Sequence, residues 1–295
     1  MKNEGRLKTG DIELAYETLG DPSDPPLLLV MGLGMQLIHW DLELCEELAA
    51  RGFHVIRFDN RDAGLSTKID APVPPIVRAM AGFHIDAPYL LKDMAADTFG
   101  LLDGLGIERA HVMGVSMGGM IAQTMALERP ERLLSLTSIM STTGDRRAGM
   151  PKLRVWSLLM RRAPADREAF QDYFVRMFRI IGSPGFPQDE PRVRELAGET
   201  FDRAHFPAGT ARQLAAILAS GDRTPGLRKL RVPTTVIHGK DDPLIPFRGG
   251  VATARAIPGA ELVAIPGMGH DLPREVWPRL YEALAENRER AAAPA

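Results

Sequence analysis

Hydrophobic residues in this chain fall into short continuous runs separated by segments of helical period. Leu27-Leu28-Leu29-Val30-Met31 and Phe53-His54-Val55-Ile56-Arg57-Phe58 are apolar runs bounded by turn signals, the pattern of strands buried on both faces. Between them, residues 41–51 have helical spacing, with Gly52 as a C-terminal stop. The strand pattern returns at Ala110–Val115, Leu133–Ile139, Thr234–His238 and Ala260–Ile265. Helical spacing returns over 92–104, from 117 to about Pro130, over 249–256 and over 276–288. Residues 7–20 alternate through Ile12, Leu14 and Tyr16, which predicts an N-terminal hairpin. Repeated strand–helix units predict an α/β fold, a mostly parallel twisted sheet flanked by helices.

From residue 144 to 225 the alternation stops. Helical stretches over 152–160, 167–180, 192–202 and 210–219 predict a helical cap inserted after the sixth strand. Such an insertion belongs over the carboxyl ends of the strands, where open α/β sheets bind ligands. The expected division is a core of residues 1–143 and 226–295 and a cap of 144–225. Residues 67–90 are Pro-rich, carry only a short apolar piece from Ile76 to Phe83, and read as no core element. A loop of that length is a candidate contributor to a lid.

Composition narrows the class. With 295 residues, 45% hydrophobic and 25% charged, the chain reads as a globular α/β domain carrying an insertion. A net charge of −2 provides no electrostatic drive toward nucleic acid or an anionic membrane. No apolar run approaches the ~20 residues needed to span a bilayer. The single cysteine, Cys45, lies in a helical pattern and is expected to be a small buried residue. With no intramolecular disulfide and no signal-like N-terminal segment, the expectation is a cytoplasmic protein. Oligomeric state is left open.

The chemistry concentrates around Gly114-Val115-Ser116-Met117-Gly118, the Gly-x-Ser-x-Gly of a nucleophile elbow between a strand and a helix. A sharp turn there exposes the serine hydroxyl, and side chains two residues either way would strike the neighbouring strand or helix. A serine nucleophile needs a base and a group to orient that base. Seven histidines compete. His54, His111 and His238 lie in or beside apolar runs and read as structural. His39 follows the Gly32 loop, and His84 and His205 fall in the lid and cap segments. His270, in Pro266-Gly267-Met268-Gly269-His270-Asp271, follows the last strand and is the candidate base. Asp242, preceding Pro243 in a tight turn, is the candidate acid, with Asp241 the runner-up. Ser116, Asp242 and His270 give the chain order Ser…Asp…His.

An oxyanion hole needs two N–H donors. The candidates are the amides of Met117 and Leu33, with Gly32 and Gly34 allowing close backbone approach. Candidate pocket residues are Gly32, Gly34, Met35 and Met120. Met35, Met117, Met120, Met150, Met160 and Met177 are further candidates for an adaptable apolar lining. Gly32-x-Gly34 is not a dinucleotide fingerprint, since Leu37 stands at its third position. Asp59-Asn60-Arg61-Asp62-Ala63-Gly64-Leu65-Ser66 reads as buried polar residues pinning a loop. Neither a metal-ligand pattern nor a P-loop is present, so no metal or cofactor is expected.

Over about residues 10–288 the chain resembles the α/β-hydrolase superfamily. The resemblance rests on the Gly32 loop, the 59–66 segment, the elbow, Asp242-Pro243 and Gly267-Met268-Gly269-His270. Leu29-Val30-Met31-Gly32 and Ile265-Pro266-Gly267-Met268-Gly269-His270 are similar to the aclacinomycin methylesterase type, although many relatives carry His-Gly where this chain has Met31-Gly32. The resemblance implies a cofactor-free serine hydrolase with a helical cap, acting on small to medium apolar carboxylic esters. The same residues also suit an acyl-homoserine lactonase, a C–C bond hydrolase, a perhydrolase or a non-catalytic small-molecule receptor.

Overall fold

In the computed structural model, which describes residues 2–80, 83–149, 155 and 163–292, the strands form one eight-stranded sheet. They are β1 (Lys2–Thr9), β2 (Ile12–Leu19), β3 (Pro26–Val30), β4 (His54–Phe58), β5 (Ala110–Val115), β6 (Leu133–Ile139), β7 (Thr234–Gly239) and β8 (Glu261–Ile265). Their spatial order is β1-β2-β4-β3-β5-β6-β7-β8. The pairs β1/β2 and β2/β4 are antiparallel, and the remaining pairs are parallel. The N-terminal hairpin thus begins earlier than the alternation indicated, because β1 is mostly exposed and has no apolar face to betray it.

The central strands β3, β4 and β5 are buried at nearly every position, as the continuous apolar runs require. Two clusters cover the sheet. On one face, Leu28, Val30, Ile56 and Val112 pack against Met94, Leu101, Ile121 and Met125 of the helices Leu91–Gly104 and Met117–Glu128. On the other, Leu27, Leu29, Val55 and Met113 pack against Leu44, Leu48, Trp277 and Leu280 of the helices Leu42–Ala50 and Trp277–Ala292. Cys45 belongs to this second layer; it is fully buried, and burial pushes its thiol up to about 12.

Between β6 and β7 the described chain is helical: Arg146–Gly149, Arg167–Ile181, Glu190–Arg203, Pro207–Ser220 and Thr224–Leu227. Local chemistry sets several starts. Asp166 accepts the Ala169 amide at 2.9 Å, Asp189 accepts the Arg192 amide at 3.0 Å, and Pro207 opens its helix. Apart from Val155, which is buried, the helix predicted over 152–160 lies outside the described residues, as do Met150 and Met160.

The Pro-rich segment departs from its expectation. Within 67–90, Ile76–Met80 is helical, and Ile76 and Ile85 are buried against Leu214 and Ala215 of the helix Pro207–Ser220. The two isoleucines are too sparse to show a period, so the segment reads as loop until the facing helix is in place.

Two histidines, the buried His111 and the half-buried His39, are held as neutral rings. His111 in β5 lies with Nδ1 2.7 Å from the Ser135 hydroxyl, and His39 accepts the Gln36 amide at 3.1 Å. Burial pulls both down to about 4. In the unfolded chain they protonate near 6.5, so their contribution is present above that pH and is lost as pH falls toward 4. We expect the unfolding free energy from urea titration to be lower at pH 5 than at pH 7.5. His111→Gln is expected to remove about 2 kcal/mol of that difference, from one and a half pH units at 1.36 kcal/mol each. An unaltered difference would place the His111 pKa near its ordinary value.

Candidate active site

The chain order reverses at β3, so the carboxyl ends of β3 and β5 border the crevice where ligands bind in open α/β sheets. Ser116 follows β5 immediately. Its φ of 54° and ψ of −119° make it one of few non-glycine residues with positive φ among those described. This is the strain that a strand-to-helix elbow imposes. Gly118 explains how the turn is tolerated: a Cβ there would overlap the Val30 carbonyl, and one at Gly114 would overlap the Gly118 carbonyl. The Ser116 amide donates to the Ile139 carbonyl at 2.9 Å, and the Ser141 hydroxyl donates to the Ser116 carbonyl at 2.8 Å. The elbow backbone is therefore held from β6 while the side chain is left free.

That side chain meets His270. Ser116 Oγ lies 3.0 Å from His270 Nε2, and His270 Nδ1 lies 2.7 Å from Asp242 Oδ2. His270 is placed by its own amide, which donates to the Ile181 carbonyl at 2.7 Å. Asp242 has no exposed side-chain surface, and its Oδ1 accepts the amides of Leu244 and Ile245 at 2.8 and 2.9 Å. Asp241 points elsewhere: its Oδ2 accepts the Gly267 amide at 2.8 Å and braces the loop leading to His270. Beside the acid lies a residue read from sequence as structural only. His238 Nε2 donates to the Ile245 carbonyl at 2.8 Å and lies 3.7 Å from Asp242 Oδ2. Burial lowers its pKa, so it sits there as a neutral ring.

A cavity of about 450 Å³ opens onto Ser116. Its walls are largely aliphatic, with Leu33, Met120, Leu214, Ile217 and Leu218 among them. A Cβ at Gly32 would stand 3.3 Å from Ser116 Cβ, so the loop after β3 passes directly over the nucleophile. Met117 is the first residue of the elbow helix, its side chain fully buried in the core below. Gly34 and Met35 do not line this cavity. The Gly34 amide donates to Gln213 at 2.8 Å, and Met35 packs against the cluster of Phe170 and Phe174. The turn at Gly34, with φ of +69°, swings the chain away from the nucleophile. Met177 also belongs to that aromatic cluster.

The 59–66 segment ties the loops around the site together. Asp59 accepts the amides of Leu37 and Leu65 and pairs with Arg203 at 2.6 Å. Asn60 donates to the Met31 carbonyl at 3.0 Å, fixing the start of the Gly32 loop. Asp62 pairs with Arg212 through two bonds of 2.8 and 2.9 Å and accepts the Tyr89 hydroxyl at 2.7 Å. Sequence reading missed Thr142, Arg223, Leu244 and Ile245, which also line the cavity. No short pattern announces them, since they reach the site from three separate segments, Leu244 and Ile245 together from the loop after β7.

The model of the alpha/beta hydrolase fold family matches residues 25–273, most of the chain. The chain belongs to the α/β-hydrolase family. Within it, the chain is of the aclacinomycin methylesterase type. It is 33% identical to rhodomycin D methylesterase DnrP of Streptomyces peucetius, over 97% of this chain and 98% of that one. It is 28% identical to 3-oxoadipate enol-lactonase 2 of Acinetobacter baylyi, over 83% and 81% of the two chains. Among solved structures, a thermophilic esterase from Thermogutta terrifontis is similar at a TM-score of 0.73 and 26% identity, covering 97% of this chain and 99% of that one. Among the described residues, no helix is long and apolar enough to cross a membrane, and no cluster of potential metal ligands occurs.

Proposed function

We propose that this hydrolase cleaves small to medium apolar carboxylic esters through Ser116, His270 and Asp242. His270 Nε2 takes the Ser116 proton as Oγ bonds to the acyl carbon, and the Asp242 carboxylate holds Nδ1–H and balances the imidazolium charge. The amides of Met117 and Leu33 stabilise the oxyanion, the first at the positive end of the elbow helix. Collapse of the tetrahedral intermediate expels the alcohol, which receives the proton from His270. Water, deprotonated by His270, then adds to the acyl-enzyme. The second collapse breaks the bond to Oγ, which takes the proton back from His270, and releases the acid.

The observation that carries this reading is one imidazole bridging a strained, cavity-facing serine at 3.0 Å and a buried carboxylate at 2.7 Å. Histidine donates or accepts at both nitrogens only when such partners are supplied, and an elbow serine without a base would be strain without use. We take residues 144–225 as a cap over the site and 67–90 as its support, because Leu214 and Leu218 line the cavity while Ile76 and Ile85 brace Leu214 from behind. The aliphatic walls favour apolar substrate parts.

The test is hydrolysis of a p-nitrophenyl acyl series from acetate to palmitate. We expect steady turnover with kcat/KM greatest between butyrate and octanoate, falling at least tenfold by palmitate. Absence of turnover across the series, with turnover on a lactone or a vinylogous diketone instead, would overturn the ester assignment.

A further inference from the structure

The cavity is not apolar throughout. Thr142 and Arg223 line it together, and they are joined: Arg223 Nη2 donates to the Thr142 carbonyl at 2.9 Å. Arg223 Nε donates to Gln123 Oε1 at 3.1 Å. Both acceptors are neutral, and among the described residues Arg223 makes no ion pair, although it is only 8% exposed. A buried guanidinium without a carboxylate is unusual, because burial of charge is offset by a counter-charge in most sites. Desolvation lowers its pKa only to about 10, so it remains cationic near neutrality.

Thr142 supplies a second, independent sign. Its Oγ1 is buried and has no hydrogen-bond partner among the described residues. Leaving a buried hydroxyl unpaired is costly, so an unpaired hydroxyl on a residue of the cavity wall calls for a partner. The surrounding carboxylates bond to neither group, although the Asp222 charge beside Arg223 offsets part of its desolvation. Asp222 Oδ1 accepts the amide and hydroxyl of Thr224, and Asp145 Oδ1 accepts the Arg147 amide. Arg147 also lines this end of the cavity.

We infer that Thr142 and Arg223 bind a free carboxylate carried by the substrate, so that the substrate is a half-ester of a dicarboxylic acid. This rests on the ester-hydrolase reading above and specifies its substrate. Thr142 Oγ1 donates to one carboxylate oxygen, and Arg223 provides the opposite charge. An acyl chain of several methylenes between the scissile ester and the carboxylate would lie along the aliphatic wall of Leu214, Ile217 and Leu218. Charge-assisted hydrogen bonds in a desolvated pocket discriminate strongly against a ligand lacking the anion.

The experiment compares monomethyl adipate with methyl heptanoate, a neutral ester of similar length, in a pH-stat assay at pH 7.5. The wild type is expected to favour monomethyl adipate at least tenfold in kcat/KM. Thr142→Val keeps the side-chain shape and is expected to cut that ratio about tenfold, mainly through KM for the acid ester. A wild-type ratio at or below one, or a ratio unmoved by Thr142→Val, overturns the inference. Calorimetric binding of the same two esters to Ser116→Ala, with and without Thr142→Val, reads the subsite without turnover. If neither ester is hydrolysed, the ester-hydrolase reading fails, and the binding ratio alone still decides for or against the carboxylate site.

Discussion

Ser116→Ala is expected to lower kcat on every ester by about 10⁴- to 10⁶-fold while leaving the fold intact. The two halves of this expectation have separate reasons. The chemistry loses its nucleophile, and the residual rate comes only from the oxyanion amides and substrate binding. Stability is spared because Ser116 Oγ does no structural work: it does not cap the helix that it precedes, and its hydrogen bond is to His270. The elbow is held by backbone bonds to Ile139 and Ser141, which alanine retains. Alanine also tolerates a φ of 54° no worse than serine. A double variant with His270→Ala should be barely slower than either single one, because nucleophile and base act as a unit. Single-turnover kinetics, with circular dichroism as the control for folding, would check this. A Ser116→Ala enzyme within tenfold of wild type would remove Ser116 from the chemistry.

The largest loss of stability is expected from Arg212→Ala, about 3–5 kcal/mol in urea unfolding. Asp62 and Arg212 form a two-point ion pair with side chains 0% and 3% exposed. Removing the guanidinium leaves a buried carboxylate whose remaining side-chain hydrogen bonds among the described residues come from the Tyr89 hydroxyl and the Ile69 amide. It also frees the Ala71 carbonyl, which Arg212 Nη1 holds at 2.9 Å. The loop after β4, the segment 67–90 and the helix Pro207–Ser220 meet at this one pair. Since that helix carries Leu214 and Leu218 into the cavity, KM should rise along with the loss of stability. Replacing both partners, as Asp62→Leu with Arg212→Met, should recover part of the loss, because an apolar pair leaves no charge behind. A loss below 1 kcal/mol for Arg212→Ala would show the pair to be solvated and the anchoring to lie elsewhere.

Much of this architecture is legible in the order of residues because the signals are local. Continuous apolar runs mark strands buried on both faces, and Gly114-x-Ser116-x-Gly118 marks a turn that only small residues permit. A loop residue after a given strand must stand at one edge of a parallel sheet, so Ser116, Asp242 and His270 share that edge whatever their separation in sequence. The same logic does not reach side-chain direction. Pro243 favours Asp242 over Asp241 as the acid, but it is the folded turn that faces Asp242 toward His270 and Asp241 toward the Gly267 amide. It likewise turns Gly34 toward Gln213 and carries Met35 into the aromatic cluster, where a flat reading of the loop put both at the pocket.

The sequence by itself determined the alternation of strands and helices, the helical run between β6 and β7, and which residue types could supply a nucleophile, a base and an acid. Tertiary structure alone decided which charges meet across long separations: Asp62 with Arg212, Asp59 with Arg203, and Arg223 with neutral acceptors only. It also decided that Ile76 and Ile85 are buried and that Thr142 Oγ1 has no partner among the described residues. The physical reason is that backbone conformation and burial period are set within a few residues, and so leave a repeating trace in the chain. A buried polar contact between distant loops has no period, and its partners become neighbours only when the helices have packed onto the sheet.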